Sequence, residues 1–401
     1  MTGGVAGRPL DAPIVHVITS LELGGAQRML EKLVSAPLSA PRRTHVVSLL
    51  PAGALAGPIR RSGAVVHSLD LGQGTVAPLA IITLGRLLRR LRPALVQGWM
   101  YHGNLAASLA ALGSGLRAPV VWNIRGALDD PAAEPVLTRW VIKAGAALSA
   151  HPRAIVYNAT AAARQHAAAG YRSGQSAVIG NGFDLDALAP DPMAGPALRQ
   201  HLGVGPGTPL IGIAAEVRPM KDHGTLLAAV ARLGTARPVQ LVMLGNHADP
   251  GNGALVAQID ALGLAGKVHL LGPLPDPRSV IKGLDLAVLS SAWGEGFPNA
   301  IGEAMAAGVP CVATDTGDCA AIIGDTGRGV PPRDPAALAA ALAELLALPD
   351  EQRRAMGRSA RRRIEEHFSL AAITRAYRAL YARSMRWDGV TMAAPDEARA
   401  A

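Results

Sequence analysis

Short β-like runs alternate with helical stretches along nearly the whole chain, and the alternation stops once and restarts. Strand-like runs lie at 14–20, 45–50, 65–69, 94–98, 120–125, 154–158 and 177–179, with helical stretches between them, notably 26–36, 78–92, 104–112 and 159–169. Such βαβα order predicts a parallel sheet covered by helices on both faces. Residues 184–209 then hold five prolines and four glycines, including Pro190-Asp-Pro192 and Gly203-Val-Gly-Pro-Gly207. That composition suits a linker. After it, strands at 210–217, 239–245, 268–271, 286–290 and 309–314 again alternate with helices, and helices at 335–348, 350–367 and 370–386 close the chain. The expected organisation is a first Rossmann-like domain at 1–185, a linker at 186–209, and a second such domain at 210–368. A closing helix at 369–387 and a frayed tail at 388–401 complete it. Two doubly wound domains in tandem place a cleft between the carboxyl ends of their strands.

Composition supports this division and narrows function. A length of 401 residues fits two domains. Apolar residues make up 49% but aromatics only 3%, so the cores are expected to be built from Ala, Leu and Val. Charged residues at 17% are too few for a disordered chain. The net charge of +9 is almost all arginine, with lysine only at 32, 143, 221, 267 and 282. No basic run interleaves with aromatics, so nucleic acid is not expected as a partner. A basic cleft for phosphorylated ligands and an anionic membrane surface both fit the charge. The two cysteines, Cys311 and Cys319, make no disulfide framework and read as buried small residues in a reducing compartment. Residues 1–13 lack the apolar segment of a signal peptide. The longest uncharged stretch, 93–116, contains Gln97, His102, Asn104 and four glycines and reads as strand, loop and helix rather than a membrane span. A cytoplasmic location is expected.

The common nucleotide fingerprints are absent: there is no G-x-G-x-x-G after a strand and no G-x-x-x-x-G-K-[ST]. This argues against an NAD dehydrogenase or a P-loop enzyme. Asp184-Leu-Asp186 is the single D-x-D. It opens the linker, where a chance match competes with a metal–diphosphate reading. The strongest signal is Ser290-Ser-Ala-Trp-Gly-Glu295-Gly-Phe-Pro-Asn-Ala-Ile-Gly-Glu303-Ala-Met-Ala-Ala-Gly308-Val-Pro310. A strand ends at Ser290, a Gly/Pro loop follows, and a helix opens near Asn299, whose first-turn amides make an anion site. Glu295 in the loop and Glu303 one turn into the helix flank that site. Two carboxylates there suit sugar and ribose hydroxyls.

Glu295 and Glu303 are separated by seven residues, and with their flanks they resemble the E-x7-E motif of glycosyltransferase family 4, retaining enzymes of GT-B fold. The resemblance covers most of the chain, in order. Leu23-Gly24-Gly25-Ala-Gln-Arg28 resembles the family's N-terminal glycine loop, although a plain tight turn also fits it. Trp99-Met-Tyr101-His102-Gly-Asn104 resembles its cleft loop, and Val178-Ile-Gly-Asn181-Gly182-Phe-Asp184 the element that ends the first domain. Met220-Lys221-Asp222-His223 resembles the stretch whose lysine meets the donor diphosphate.

The resemblance implies a GT-B fold and retaining transfer of a hexose-type sugar from a nucleoside-diphosphate sugar to an acceptor hydroxyl, in polysaccharide, glycolipid or glycoconjugate biosynthesis. It implies His102, Glu295, Arg218 and Lys221 as catalytic residues. Gly25, Arg218, Lys221, Glu295, Phe297, Asn299, Ala300 and Glu303 would meet the donor, and Gly24, His102, Asn104 and Arg125 the acceptor. No metal and no cofactor are expected. The expected partners are a nucleotide sugar and a glycan or lipid-linked acceptor. One departure is Glu216, where the family often has arginine; Arg218 follows two residues on, on the same face of an extended chain. A sugar-nucleotide epimerase and a non-catalytic nucleotide-sugar-binding module share this scaffold and stay open. Residues 72–78 and 127–135 are candidate acceptor loops without a readable code. Arg86, Arg89, Arg90 and Arg92 fit either a solvated helix end or contact with anionic lipid at the inner face of the membrane.

Overall fold

The computed structural model of the protein describes residues 12–36, 43–72, 78–234 and 238–385. The expected tail, the last residues of the closing helix, most of the loop at 72–78 and nearly all of the N-terminal segment lie outside the described residues.

The first half runs β1 (Ile14–Ile18), α1 (Gly25–Ser35), β2 (Thr44–Ser48), α2 (Ala56–Arg61), β3 (Val65–Ser68), α3 (Pro78–Leu91) and β4 (Leu95–Trp99). It continues with α4 (Met100–Ser114), β5 (Val120–Ile124), α5 (Val136–Leu148), β6 (Ala154–Tyr157), α6 (Thr160–Ala168) and β7 (Ser176–Val178). The second half begins with α7 (Ala194–Leu202), β8 (Leu210–Ala214), α8 (His223–Leu233), β9 (Gln240–Leu244), α9 (Gly253–Ala261) and β10 (Val268–Gly272). Then follow α10 (Arg278–Lys282), β11 (Leu286–Leu289), α11 (Asn299–Ala306), β12 (Cys311–Thr314), α12 (Cys319–Ile323), β13 (Arg328–Val330), α13 (Pro335–Ala347), α14 (Asp350–His367) and α15 (Leu370–Met385).

Two sheets form, both parallel throughout. The first has the order β3-β2-β1-β4-β5-β6-β7 and the second β10-β9-β8-β11-β12-β13. Central strands such as Ile14–Ile18 are buried along their whole length, as helices on both faces require. Strand order reverses between β1 and β4 in one sheet and between β8 and β11 in the other. Ligands in open α/β sheets bind outside the strand ends at such switch points. The glycine loop follows β1, the His102 segment follows β4, Lys221 follows β8 and Glu295 follows β11. All four motifs therefore stand at the two switch points.

Few aromatics are available, and alanine fills the gap. Ala106, Ala107, Ala110 and Ala111 let α4 settle close to its neighbours. The largest fully buried side chains include Trp99, Trp122, Tyr157, Tyr377 and Phe183. Helix α15 turns its Ile373, Tyr377, Leu380 and Tyr381 into the core that holds Ile14, Leu30 and Trp99 of the first sheet. The Asn123 amide donates to the Tyr377 hydroxyl at 2.9 Å, and the Tyr381 hydroxyl donates to Gln97.

Two expectations need correction. The stretch 186–209 is not linker throughout: α7 lies inside it, with Leu188 and Leu198 in the core of the second domain. Its prolines and glycines punctuate the helix rather than prevent it. Pro196 sits in the first turn, where a missing N–H costs little, and Gly203 closes the helix at φ +67°. The segment after β4 is not a loop: α4 begins at Met100, so His102 and Asn104 lie in its first turns. Helices α2 and α5 lie between strands, where helical stretches are expected, although the sequence does not delimit them; α10, α12 and strand β13 span five residues or fewer, too short for a period to register.

Candidate active site

The site is built from two loops stitched together. The Ser290 hydroxyl donates to the Lys221 carbonyl at 2.8 Å, and the Ala292 amide to the Met220 carbonyl at 2.8 Å. This brings the turn after β8 against the loop after β11. Lys221 and Glu295, 74 residues apart in sequence, form an ion pair there, with Glu295 almost fully buried. The Ser291 hydroxyl donates to the same carboxylate oxygen at 2.5 Å. Thr314 in turn donates to the Ser291 carbonyl at 2.6 Å, and the Asp318 amide to the Gly296 carbonyl at 3.1 Å. Gly317, at φ +59°, lies where a Cβ would come within 2.0 Å of the Glu295 carbonyl oxygen. Only glycine fits there.

Helix α11 opens immediately after this loop, capped by Pro298, which has no side-chain acceptor to offer. Its first-turn amides, including that of Ala300, are the groups a helix leaves without intrahelical partners. Asn299 is exposed, and its side-chain oxygen accepts from Asn181 at 2.6 Å. Glu303, one turn in, is raised above the ordinary carboxylate range by burial, against the opposing pull of Lys32, Arg28 and Arg278. Arg28 and Lys32 belong to α1, so Glu303 faces the first domain. Gly24 caps α1 without a side-chain bond, and Gly25 has open space where a Cβ would stand. Arg218 lies 3.6 Å from Glu216, both well exposed.

His102 is half-buried in α4 and lines a cavity of about 510 Å³ with Thr19, Leu84, Ala106, Leu137 and Thr138 among others. Burial lowers its pKa, so the imidazole is neutral near pH 7.

Three expected ligand contacts are turned inward instead. Phe297 is buried, stacked on Phe183 at 6.0 Å and edge-on to Phe368 at 5.4 Å, rather than presented to a donor. Asn104 is buried, and its amide bridges to the backbone of Asn123. Arg125 is a buried hub. Its guanidinium donates to the side-chain oxygens of Asn181 and Asn123, the Tyr377 hydroxyl, and the carbonyls of Ile179 and Gly180. These side chains tie β5, the end of the first domain and α15 together; an acceptor would have to displace that network.

Other residues at the site gave no signal of their own in the sequence. Asp318 of the second domain accepts the Thr160 and Ala161 amides at 2.6 and 2.9 Å, capping α6 of the first domain across the cleft. Lys32 donates to the Gly182 carbonyl at 3.1 Å. Asp184, the first carboxylate of the D-x-D, accepts the Asp186 and Ala187 amides and so closes a turn. Among the described residues no three His, Cys, Asp or Glu side chains converge as a metal site.

Residues 23–187 match the model of Glycosyltransferase Family 4, and residues 208–348 that of Glycosyl transferases group 1. Together the two matches span most of the chain, in the order of the two domains of a GT-B glycosyltransferase of the family 4 type. The chain's GT-B fold agrees with solved structures. Anabaena HepE in complex with UDP superposes with a TM-score of 0.79 at 22% identity, covering 92% of this chain and 99% of that one. A glycosyltransferase from Rickettsia africae gives 0.79 at 17% identity, covering 94% and 100%. In sequence, the chain is 35% identical over 181 residues to the MMP alpha-(1->4)-mannosyltransferase of Mycolicibacterium hassiacum. It is 31% identical over 187 residues to the D-inositol 3-phosphate glycosyltransferase of Nocardia farcinica. Those alignments cover 44% of this chain in each case, and 43% and 41% of the relatives' own lengths.

Proposed function

We propose that this protein is a retaining glycosyltransferase that moves a sugar from a nucleoside-diphosphate sugar to an acceptor hydroxyl in polysaccharide, glycolipid or other glycoconjugate biosynthesis. The observation that carries this reading is the Lys221–Glu295 pair set beside the opening of α11, with Glu303 one turn further along. The complexes of HepE with UDP and with UDP-glucose support a nucleotide-sugar donor.

In this reading the leaving diphosphate lies over the α11 amides, where the helix dipole and unpaired N–H groups stabilise negative charge. Lys221 and Arg218 supplement them as charge develops. A diphosphate competes with Glu295 for the Lys221 ammonium, which frees that carboxylate to accept sugar hydroxyls. Glu303 accepts the ribose hydroxyls. Burial raises its pKa, and two hydroxyl donors oppose that shift by favouring the ionised form. His102, neutral, orients the sugar from the first domain. Transfer on the same face retains the anomeric configuration, with a phosphate oxygen assisting removal of the acceptor proton. The acceptor is a glycan or a lipid-linked sugar, and the protein works in the cytoplasm at the inner face of the membrane. The two buried, unpaired cysteines suit that reducing compartment.

The test is to screen nucleotide sugars against sugar and lipid-linked acceptors, read nucleoside-diphosphate release, and assign the product's anomeric configuration by NMR. A product with the donor's configuration is expected. Inversion, or epimerised donor without any acceptor, would overturn the reading. Because Lys221, Arg218 and helix amides supply the positive charge, turnover should survive excess EDTA. Activity abolished by EDTA and restored by magnesium would show that a metal shares the diphosphate.

A further inference from the structure

The first domain carries an apolar surface that none of the described residues covers. Of the eleven large apolar side chains exposed among the described residues, five lie in the first turns of α3 and α5. They are Leu79 (66% exposed), Ile82 (49%), Val136 (61%), Leu137 (45%) and Trp140 (66%). Both helices pack on α4, and their starts bracket the cavity lined by His102. Ala80, Ile81 and Leu84 form one wall, while Leu137 and Thr138 form another. Leu137 is at once cavity wall and exposed rim.

Charge follows the apolar residues along each helix. On α3 the exposed positions 79, 82, 86 and 89 make a single stripe that passes from Leu79 and Ile82 to Arg86 and Arg89. On α5 the exposed positions 136, 140 and 143 pass from Val136 and Trp140 to Lys143. The Lys143 ammonium lies 5.3 Å from the centre of the Trp140 ring. Neither helix contains an acidic residue. Carboxylates precede α5 in sequence: exposed Asp129 accepts from Gln165, and exposed Asp130 accepts the Ala132 amide at 2.8 Å. Glu134 is half-buried, on the side of Tyr101. An apolar rim carrying tryptophan, backed by lysine and arginine without carboxylates, is complementary to an anionic lipid surface: rings and aliphatic side chains enter the headgroup layer while cations meet phosphates. No helix among the described residues is long and apolar enough to cross a membrane, so the contact is peripheral.

We propose that the exposed α3–α5 face docks on an anionic lipid bilayer, with the mouth of the His102 cavity against the membrane. This adds to the function proposed above the surface that makes the membrane contact, and it rests on that reading only in giving the cavity to a membrane-borne acceptor. Arg86 and Arg89 of α3 belong to this face, but the apolar starts of α3 and α5 set its position.

Sedimentation of the full chain with vesicles tests the proposal. Vesicles of phosphatidylcholine and of equimolar phosphatidylcholine and phosphatidylglycerol are compared at 0.1 M salt, with calorimetric titration of UDP and GDP into the same preparations. The wild type is expected to sediment at least fivefold more with anionic vesicles. Leu79→Ser/Trp140→Ser should lose about fivefold of that binding, Arg86→Glu/Lys143→Glu should lose the preference for anionic lipid, and nucleotide binding should be unchanged in both. Equal sedimentation with the two vesicles, or double variants that sediment like the wild type, would overturn the proposal. So would concentration-dependent self-association in the absence of lipid that Leu79→Ser/Trp140→Ser abolishes, which assigns the face to a second copy. Vesicle binding without nucleotide binding would instead overturn the proposed function and leave the docking surface standing.

Discussion

Two of the proposed cations differ in how firmly they are placed. Lys221 is held by a buried carboxylate, whereas Arg218 reaches only an exposed partner at 3.6 Å. An exposed pair of that length contributes ~1 kcal/mol or less, so Glu216 positions Arg218 weakly and leaves it free to swing toward a phosphate. Arg218→Ala is therefore expected to lower kcat/KM about tenfold, equivalent to ~1.4 kcal/mol, while Glu216→Gln costs less. Steady-state kinetics with a saturating acceptor decides. A neutral Arg218→Ala together with a more active Glu216→Arg would show that Glu216 marks an impaired site. At this scale the sequence brought out Lys221 and Glu295, which the structure pairs, and Glu303, one turn into α11. It misled where burial decides direction. β5 is buried along both faces, so alternation could not reveal that Arg125, just beyond it, turns inward to Tyr377 and Asn181. Asn104 was misplaced because α4 starts earlier than its pattern suggests.

At the scale of elements, the loop before α11 depends on a glycine far from it in sequence. Gly317 combines a left-handed φ of +59° with contact on the Glu295 carbonyl. Gly317→Ala should destabilise the protein by roughly 1–3 kcal/mol, and it should weaken donor binding because Glu295 and its neighbours must shift. Thermal unfolding and nucleotide titration check both effects; a variant with unchanged melting temperature and affinity would show the loop to be adaptable. Most strands and most helices longer than six residues were readable from periodicity, since each buries a regular face; the 13-residue α5 was not delimited. Helix α7 was not, because prolines and glycines that suggest a linker also serve as helix punctuation. The Asp318 cap on α6 had no local signal, its partners lying 158 and 157 residues away.

Across the whole molecule, the two domains are joined by polar contacts near the cleft, Asn181 to Asn299 and Asp318 to α6, and by α15 packed on the first sheet. Stability also carries a pH signature from histidines buried in the neutral form. Burial lowers His16 to about 3, and His166 and His223 to about 4. Trp99 donates to His16 at 3.1 Å. Because the folded values lie below the unfolded value of about 6.5, the unfolded chain takes up protons first on acidification. Stability is fully present above pH 6.5 and falls as pH drops toward 4, by on the order of 3 kcal/mol for each of His166 and His223. Calorimetric melting is expected to be level from pH 8 to 7 and to decline between pH 6.5 and 4; a level melting temperature through that interval would contradict the buried neutral assignment.

The central claim is that a nucleoside diphosphate binds at the start of α11 with Glu303 on its ribose. Calorimetric titration of UDP and GDP into the wild type and Glu303→Ala tests it most directly. The account predicts binding of one of these to the wild type, and an affinity at least tenfold weaker in a folded Glu303→Ala, a loss of ~1.4 kcal/mol or more. No binding of either nucleotide to the wild type, or equal affinity in the folded variant, would contradict it.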